Sequence, residues 1–169
     1  MNAIVVVDRN WAIGRNRGLL FSLPGDMRHF RELTGGGTVI MGRKTLDSFP
    51  GGNPLPRRRN IVITRDPAFC REGCQVVHTP EEALQLAGDG DDVWIIGGGS
   101  IYAALLNRCR RASVTRVDAA VPAADTFFPN LDTLPGWRVA CTDRPMQENG
   151  LTYRFVDYIR TNAQKSVDF

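Results

Sequence analysis

Apolar residues fall along this chain in two patterns. Through the first two-thirds they come as short continuous runs: residues 3–7 (AIVVV), 38–41 (TVIM), 60–64 (NIVIT), 75–77 (QVV) and 93–96 (VWII). Runs of this length, rich in β-branched side chains, predict strands buried on both faces. Between them lie helical segments. Pro24-Gly25-Asp26 opens one that reaches Thr34 and stops at Gly35-Gly36-Gly37. A short helix starts near Lys44, residues 80–87 carry Pro and two Glu in a first turn, and a fourth helix spans 100–106. Residues 8–21 read as a long loop, with Ile13-Gly14 and Leu19-Leu20-Phe21 as apolar anchors, and 50–56 as a second loop. Beyond residue 110 the helices stop. Residues 112–119, 137–144 and 151–160 read as strands, with Asn149-Gly150 a hairpin signal between the last two.

Alternation followed by strands alone predicts an α/β fold: a single domain with a largely parallel central sheet, flanked by about four helices and ending in an antiparallel hairpin. The length of 169 residues suits one domain, placed at 1–160, with 161–169 (TNAQKSVDF) a polar tail expected to fray. Charge adds one restriction. The net charge is only +3, and the basic residues, nearly all Arg, are scattered apart from Arg57, Arg58 and Arg59. With no basic stripe or RNA-binding signature, nucleic acid is not the expected partner; local basic sites suggest small anions. Cys70, Cys74, Cys109 and Cys141 form no CxxC pair and only two His are present, so no metal site is expected. The cysteines read as reduced, partly buried thiols. No basic n-region, cleavage site or long apolar span is seen, which points to the cytoplasm and away from a membrane.

Three strand-to-helix junctions could carry chemistry, because ligands of parallel α/β sheets bind at the carboxyl ends of strands. In VIMGRKTLDS, Gly42 turns the chain and Arg43, Lys44 and Thr45 begin a helix. Cations there oppose the helix dipole, so either a phosphate answers them or the turn is merely basic and solvated. In WIIGGGSIY, Gly97, Gly98 and Gly99 would let a backbone approach a ligand, although the spacing is not the GxGxxG dinucleotide fingerprint. In LLFSLPGDMRHF, Asp26 lies in a first helical turn and shares a face with Phe30. It is either a capping residue or a lone carboxylate at the rim of an apolar pocket.

Taken in order, these segments make the chain resemble the bacterial dihydrofolate reductases. The similar stretches are IVVVDRNWAIG, LPGDMRHFRELT, VIMGRKT, PLPRRRNIVIT, WIIGGGSIY, VTRVDA and ADTFFP, and residues 151–159 resemble the family's last strand. The resemblance implies reduction of dihydrofolate by NADPH, in support of one-carbon metabolism and thymidylate synthesis. It makes Asp26 the pocket carboxylate that bonds the pterin's amino group and ring N–H, supported by Thr115 through a hydroxyl and a water. Phe21 stands near the reaction where the family usually has Trp, so an indole N–H that could anchor an ordered water is missing. Ile4, Val5, Met27, Phe30 and Ile96 would wall the pterin, Phe49 would line the tail of the substrate, and Arg58 would grip the α-carboxylate of its glutamate.

On the cofactor side the resemblance implies Arg43, Lys44 and Thr64, with Arg65, at the adenosine phosphates. Gly42 and Thr45 belong to the same junction. Gly97, Gly98 and Gly99 would admit the pyrophosphate and nicotinamide, followed by Ser100, Ile101 and Tyr102; the family's first Gly-Gly bond is cis. Ile13, Gly14 and Leu19 would belong to a loop that closes over the nicotinamide. Asp26 would be too far from the pterin nitrogen to protonate it directly, so a water would deliver the proton while the carboxylate orients the pterin and raises the basicity of that nitrogen. Antifolate inhibitors would share the substrate's pocket, and a monomer is the expected state. Leu19 for the more frequent Met, Val6 for a smaller residue, Ser100 for an Arg and extra residues at 50–53 depart from the family pattern. Another reductase of this fold, acting on a sugar phosphate, and a non-catalytic nucleotide binder are the rival readings.

Overall fold

The computed structural model describes residues 1–161. In chain order the elements are β1 (Asn2–Val7), β2 (Ala12–Arg15), β3 (Gly18–Leu19), α1 (Pro24–Thr34), β4 (Thr38–Gly42), α2 (Arg43–Ser48), β5 (Arg59–Ile63), β6 (Cys74–Val77), α3 (Pro80–Ala87), β7 (Val93–Gly97), α4 (Gly99–Leu105), β8 (Arg111–Val117), β9 (Thr126–Phe127), β10 (Trp137–Thr142), β11 (Met146–Glu148) and β12 (Leu151–Arg160). The polar tail lies, Thr161 apart, outside the described residues; the Thr161 N–H donates to the Gly136 carbonyl at 2.9 Å.

The main sheet runs β10-β12-β8-β1-β7-β4-β5-β6, with β11 also paired to β12. From β8 to β6 every pairing is parallel. The continuous apolar runs follow from this topology, since successive side chains of a strand point to opposite faces and both faces are covered. Ala3, Val5, Ile40, Ile61 and Ile95 join one core cluster with Ala83 of α3 and Leu105 of α4. Their neighbours Ile4, Val39, Met41, Val62 and Trp94 join the other, against Leu46 of α2 and Phe30 and Leu33 of α1. Ile40 pairs with Ile95 but Met41 pairs with Gly97, so the β4–β7 register slips where the two strands feed α2 and α4.

The antiparallel edge differs from expectation in one respect. The strand beginning at Trp137 ends at Thr142, and Pro145, which has no N–H to donate, separates it from β11. It is therefore β11 that Asn149-Gly150 joins to β12, across the Glu148–Leu151 pair. Both turn residues have positive φ (51° and 74°), as a two-residue hairpin turn of this hand requires. The long loop after β1 also contains structure: β2 pairs with β3 and with β9, a distant partner that periodicity does not reveal. The cysteines are all free, but Cys70 and Cys141 are exposed rather than partly buried.

Candidate active site

The first turn of α1 has no local side-chain cap. Leu23 occupies the cap position and Pro24 follows it. The free Gly25 N–H is met from across the sheet edge by Glu148, whose Oε1 and Oε2 accept at 2.8 and 3.2 Å. One residue later, Asp26 Oδ1 accepts from the hydroxyl of Thr115 at 2.6 Å. Thr115 is buried on β8, so the contact is direct and lies in a low-dielectric setting. Burial raises the proton affinity of Asp26 above the ordinary carboxylate range; the Thr115 hydrogen bond opposes this and the Glu148 charge adds to it.

Ile4, Phe30, Phe49 and Ile96 belong to a single apolar cluster, and Phe30 follows Asp26 by one helical turn on α1. Val5, the next residue along β1, lies in the opposite cluster, and Met27 is about half exposed on α1. Asn60 fixes the Pro-rich turn before β5: its side-chain oxygen accepts from Leu55 N and its amide donates to the Leu55 and Arg58 carbonyls. That turn carries Arg58, whose guanidinium sits 5.8 Å from the centre of the Phe30 ring. Its Nε is buried without a partner among the described residues. Burial and the nearby charges of Arg57 and Arg31 push its pKa below the ordinary value. A half-buried cation whose buried Nε lacks a partner, near an aromatic wall, calls for an anionic partner.

On the other side of Ile96, the Gly97–Gly98 peptide is cis. A Cβ on Gly99 would collide with the Thr126 methyl at 2.8 Å, and one on Gly97 would press on the Tyr102 ring at 3.3 Å. The Tyr102 hydroxyl donates to the Ile4 carbonyl at 2.6 Å. Gly98 faces the hydroxyl of Thr45, and Gly42 lies against Ile101, so the two glycine junctions sit side by side. Around the ends of β4 and β5, Arg43 reaches Asp66 at 3.1 Å and Asp47 at 3.5 Å and lies over the Phe69 ring. Thr64 Oγ1 accepts from Asp66 N. Lys44, Arg65 and Ser100 are exposed.

The loop after β1 is tied to the segment before β9. Gly14 accepts from Asp125 N at 3.0 Å, and Asn16 N donates to Asp125 Oδ2 at 2.9 Å. Ile13 packs on the core, whereas Leu19 is 78% exposed. Phe21 packs with Leu23, Val117 and Tyr153, near the entry to α1.

Residues 1–160 match the family model for dihydrofolate reductase. The dihydrofolate reductase of Mycobacterium tuberculosis is 41% identical over 152 residues, which covers 88% of this chain and 91% of the relative. That of Bacillus subtilis is 32% identical over 168 residues, covering 98% of each. The structure of the Enterococcus faecalis dihydrofolate reductase, complexed with NADP(H) and RAB-propyl, superposes with a TM-score of 0.84 at 31% identity, over 95% of this chain and 96% of that one.

The chain belongs to the dihydrofolate reductase family. Three groups that sequence reasoning did not single out help to build its site. Asp8 is buried at the end of β1 and accepts from Asn10, Ala12 and Val121 N–H groups at 2.8–2.9 Å, so one carboxylate joins the loop after β1 to the loop after β8. An acid directly after a buried strand was the available signal. Asp125 clamps the same two loops, and Glu148 caps α1 from the far hairpin; in neither case does local sequence announce the partner.

Proposed function

We propose that this protein is an NADPH-dependent dihydrofolate reductase that converts dihydrofolate to tetrahydrofolate, with Asp26 as its catalytic carboxylate. The observation that carries this reading is the Asp26–Thr115 pair, set between the apolar cluster and the glycine cradle of a chain that belongs to this family. The residues present fit the cofactor. A Cβ at Gly99 would close the cradle, and Arg43, Lys44, Thr64 and Arg65 gather cations and a hydroxyl for phosphates. When bound, NADPH supplies the hydride.

Each remaining task falls to a side chain of this protein. Asp26 accepts hydrogen bonds from the pterin's amino group and ring N–H, which fixes the ring's orientation against Ile4, Phe30 and Ile96. Arg58 spends its free donor on the substrate's α-carboxylate. Asp26 acts as the carboxylate: its charge raises the basicity of the ring nitrogen beside the carbon that accepts the hydride, and a water delivers a proton from solvent to that nitrogen. The Tyr102 hydroxyl orients the Ile4 carbonyl, leaving that carbonyl's second lone pair for the pterin's amino edge. The loop clamped by Asp8 and Asp125 excludes bulk water and holds donor and acceptor carbons together. Four free thiols suit the reducing cytoplasm.

The test is the oxidation of NADPH followed by its absorbance, with and without dihydrofolate. Turnover that depends on dihydrofolate is the expected result. NADPH binding without turnover would make the protein a nucleotide-binding module instead.

A further inference from the structure

The hairpin tip at the antiparallel edge grips the entry to α1 at more than one point. The Asn149 side-chain amide donates to the Ser22 carbonyl at 3.1 Å, just before the helix. Glu148 Oε1 accepts from Gly25 N at 2.8 Å and from the Tyr153 hydroxyl at 3.1 Å. The fit admits no side chain at position 25: a Cβ there would run into the Tyr153 hydroxyl and the Glu148 carboxylate. Glycine at the second helical position, where it has low helical propensity, is thereby explained. The helix start that carries Asp26 is held by a carboxylate from the opposite end of the sequence, because Leu23 offers no cap of its own.

We propose that Glu148 is a positioning residue for dihydrofolate reduction: from the β11–β12 hairpin its carboxylate fixes the first turn of α1, and with it Asp26, and its negative charge sets the field in which Asp26 works. The proposal rests on the dihydrofolate reductase reading. Glu148 acts through Gly25 and through space and need not touch the substrate. The groups facing Asp26 come from every element around it: the Thr115 hydroxyl from β8, Glu148 from β11, the Tyr153 hydroxyl from β12 and the Tyr102 hydroxyl from α4, while Arg28 of α1 offsets the acidic pair near Tyr153. Both tyrosines have their proton affinity raised by burial and stay neutral donors. Glu148 is therefore the carboxylate among these groups besides Asp26, and its charge favours the protonated form of Asp26.

Glu148→Gln separates position from charge. One amide oxygen can accept from both Gly25 N and the Tyr153 hydroxyl, as Oε1 does, but the negative charge is gone. The pH above which turnover falls should move to lower pH by about half a unit, with the melting temperature little changed. Glu148→Ala loses the position as well, so kcat should fall further, about 3- to 10-fold at neutral pH, with a smaller change in KM. Tyr153→Phe keeps the charge and should leave the limb where it is in the wild type. A Glu148→Gln profile that superposes on the wild type overturns the proposal whatever the alanine variant does, and it alone decides if that variant fails to fold. Wild-type protein with no dihydrofolate turnover would instead remove the reading of function beneath it.

Discussion

On the proposed pterin side of the cleft, the polar groups are bonded to one another inside the protein. Thr115 donates to Asp26, Tyr102 to Ile4, and Gly25 and Tyr153 to Glu148. On the proposed phosphate side the cations lie at the surface, and Arg43 is held by Asp66 and Asp47 with 42% of its side chain exposed. The first arrangement is preorganised and shielded, so each interaction acts at low dielectric and needs no rearrangement during reaction. The second exchanges one set of partners for another when a phosphate binds, in a setting where each exposed pair contributes about 0–1 kcal/mol. Catalysis should therefore be sensitive to the pterin side and binding to the phosphate side, by unequal amounts.

The largest effect is expected at Asp26. Asp26→Asn keeps the shape and an acceptor for Thr115 but removes the group that binds a proton, and positioned proton chemistry contributes about 10²–10⁴-fold. Turnover at neutral pH should fall by a factor in that range. Fold and NADPH binding should survive. The loss should shrink as pH falls, since solution then protonates the substrate and the carboxylate's help matters less. A helix cap would behave otherwise, because Asn caps as well as Asp. Steady-state rates of both proteins from acid to neutral pH decide it, and a fully active Asn variant would break the comparison on its catalytic side.

How much of this was legible in the sequence tracks the range of the interactions. The runs around Val5, Ile40 and Ile95 announce themselves, because burial on both faces needs no knowledge of the partner strand. The same holds for α3, where Thr79 caps the Glu82 N–H and the signal is local. The strands β2 and β9 were not legible, since Gly14 finds its partner in Thr126, far along the chain. Residues 137–144 read as one strand because no Gly or Pro interrupts them before Pro145, and only pairing shows where β10 gives way to β11. At the site, the resemblance named Asp26 and Arg58 by motif. Asp8 and Glu148 stayed hidden, because a carboxylate that receives backbone N–H groups from other segments has no motif of its own.

Arg58 should give the next largest effect, and of a different kind. It lies far from the reacting carbon in this reading and contributes binding equally to ground and transition states. Charge-assisted hydrogen bonds contribute about 1.5–3 kcal/mol each, so Arg58→Ala should raise KM for dihydrofolate by about 10- to 100-fold while kcat changes less. A pterin lacking the glutamate should be nearly indifferent to the change. Equal losses with both substrates would show that Arg58, against the Phe30 ring, is holding structure instead.

The smallest effect is expected at Arg43, and the comparison predicts why it should be smaller than that of Arg58. Arg58 has a buried Nε with no partner to give up, whereas Arg43 must loosen Asp66 and Asp47 before it can face a phosphate. Its gain on binding is the difference between a charge-assisted bond and the exposed pairs it leaves. Arg43→Ala should therefore weaken NADPH by about tenfold, measured by binding titration, which is less than the two parent magnitudes would suggest if simply added. NADH lacks the second phosphate group on the adenosine ribose, so its affinity should change by less than about twofold. The sharper test removes the competitor instead of the cation. Asp66→Asn keeps an acceptor for the Ala68 N–H, which Asp66 Oδ1 now receives at 2.9 Å, but no longer holds Arg43 by charge. Freed of that pair, Arg43 should bind NADPH more tightly and NADH about as before. Equal losses for both cofactors in Arg43→Ala, or weaker NADPH binding in Asp66→Asn, would mean that Arg43 braces the β4–α2 turn through Asp66 and that the phosphate is held elsewhere.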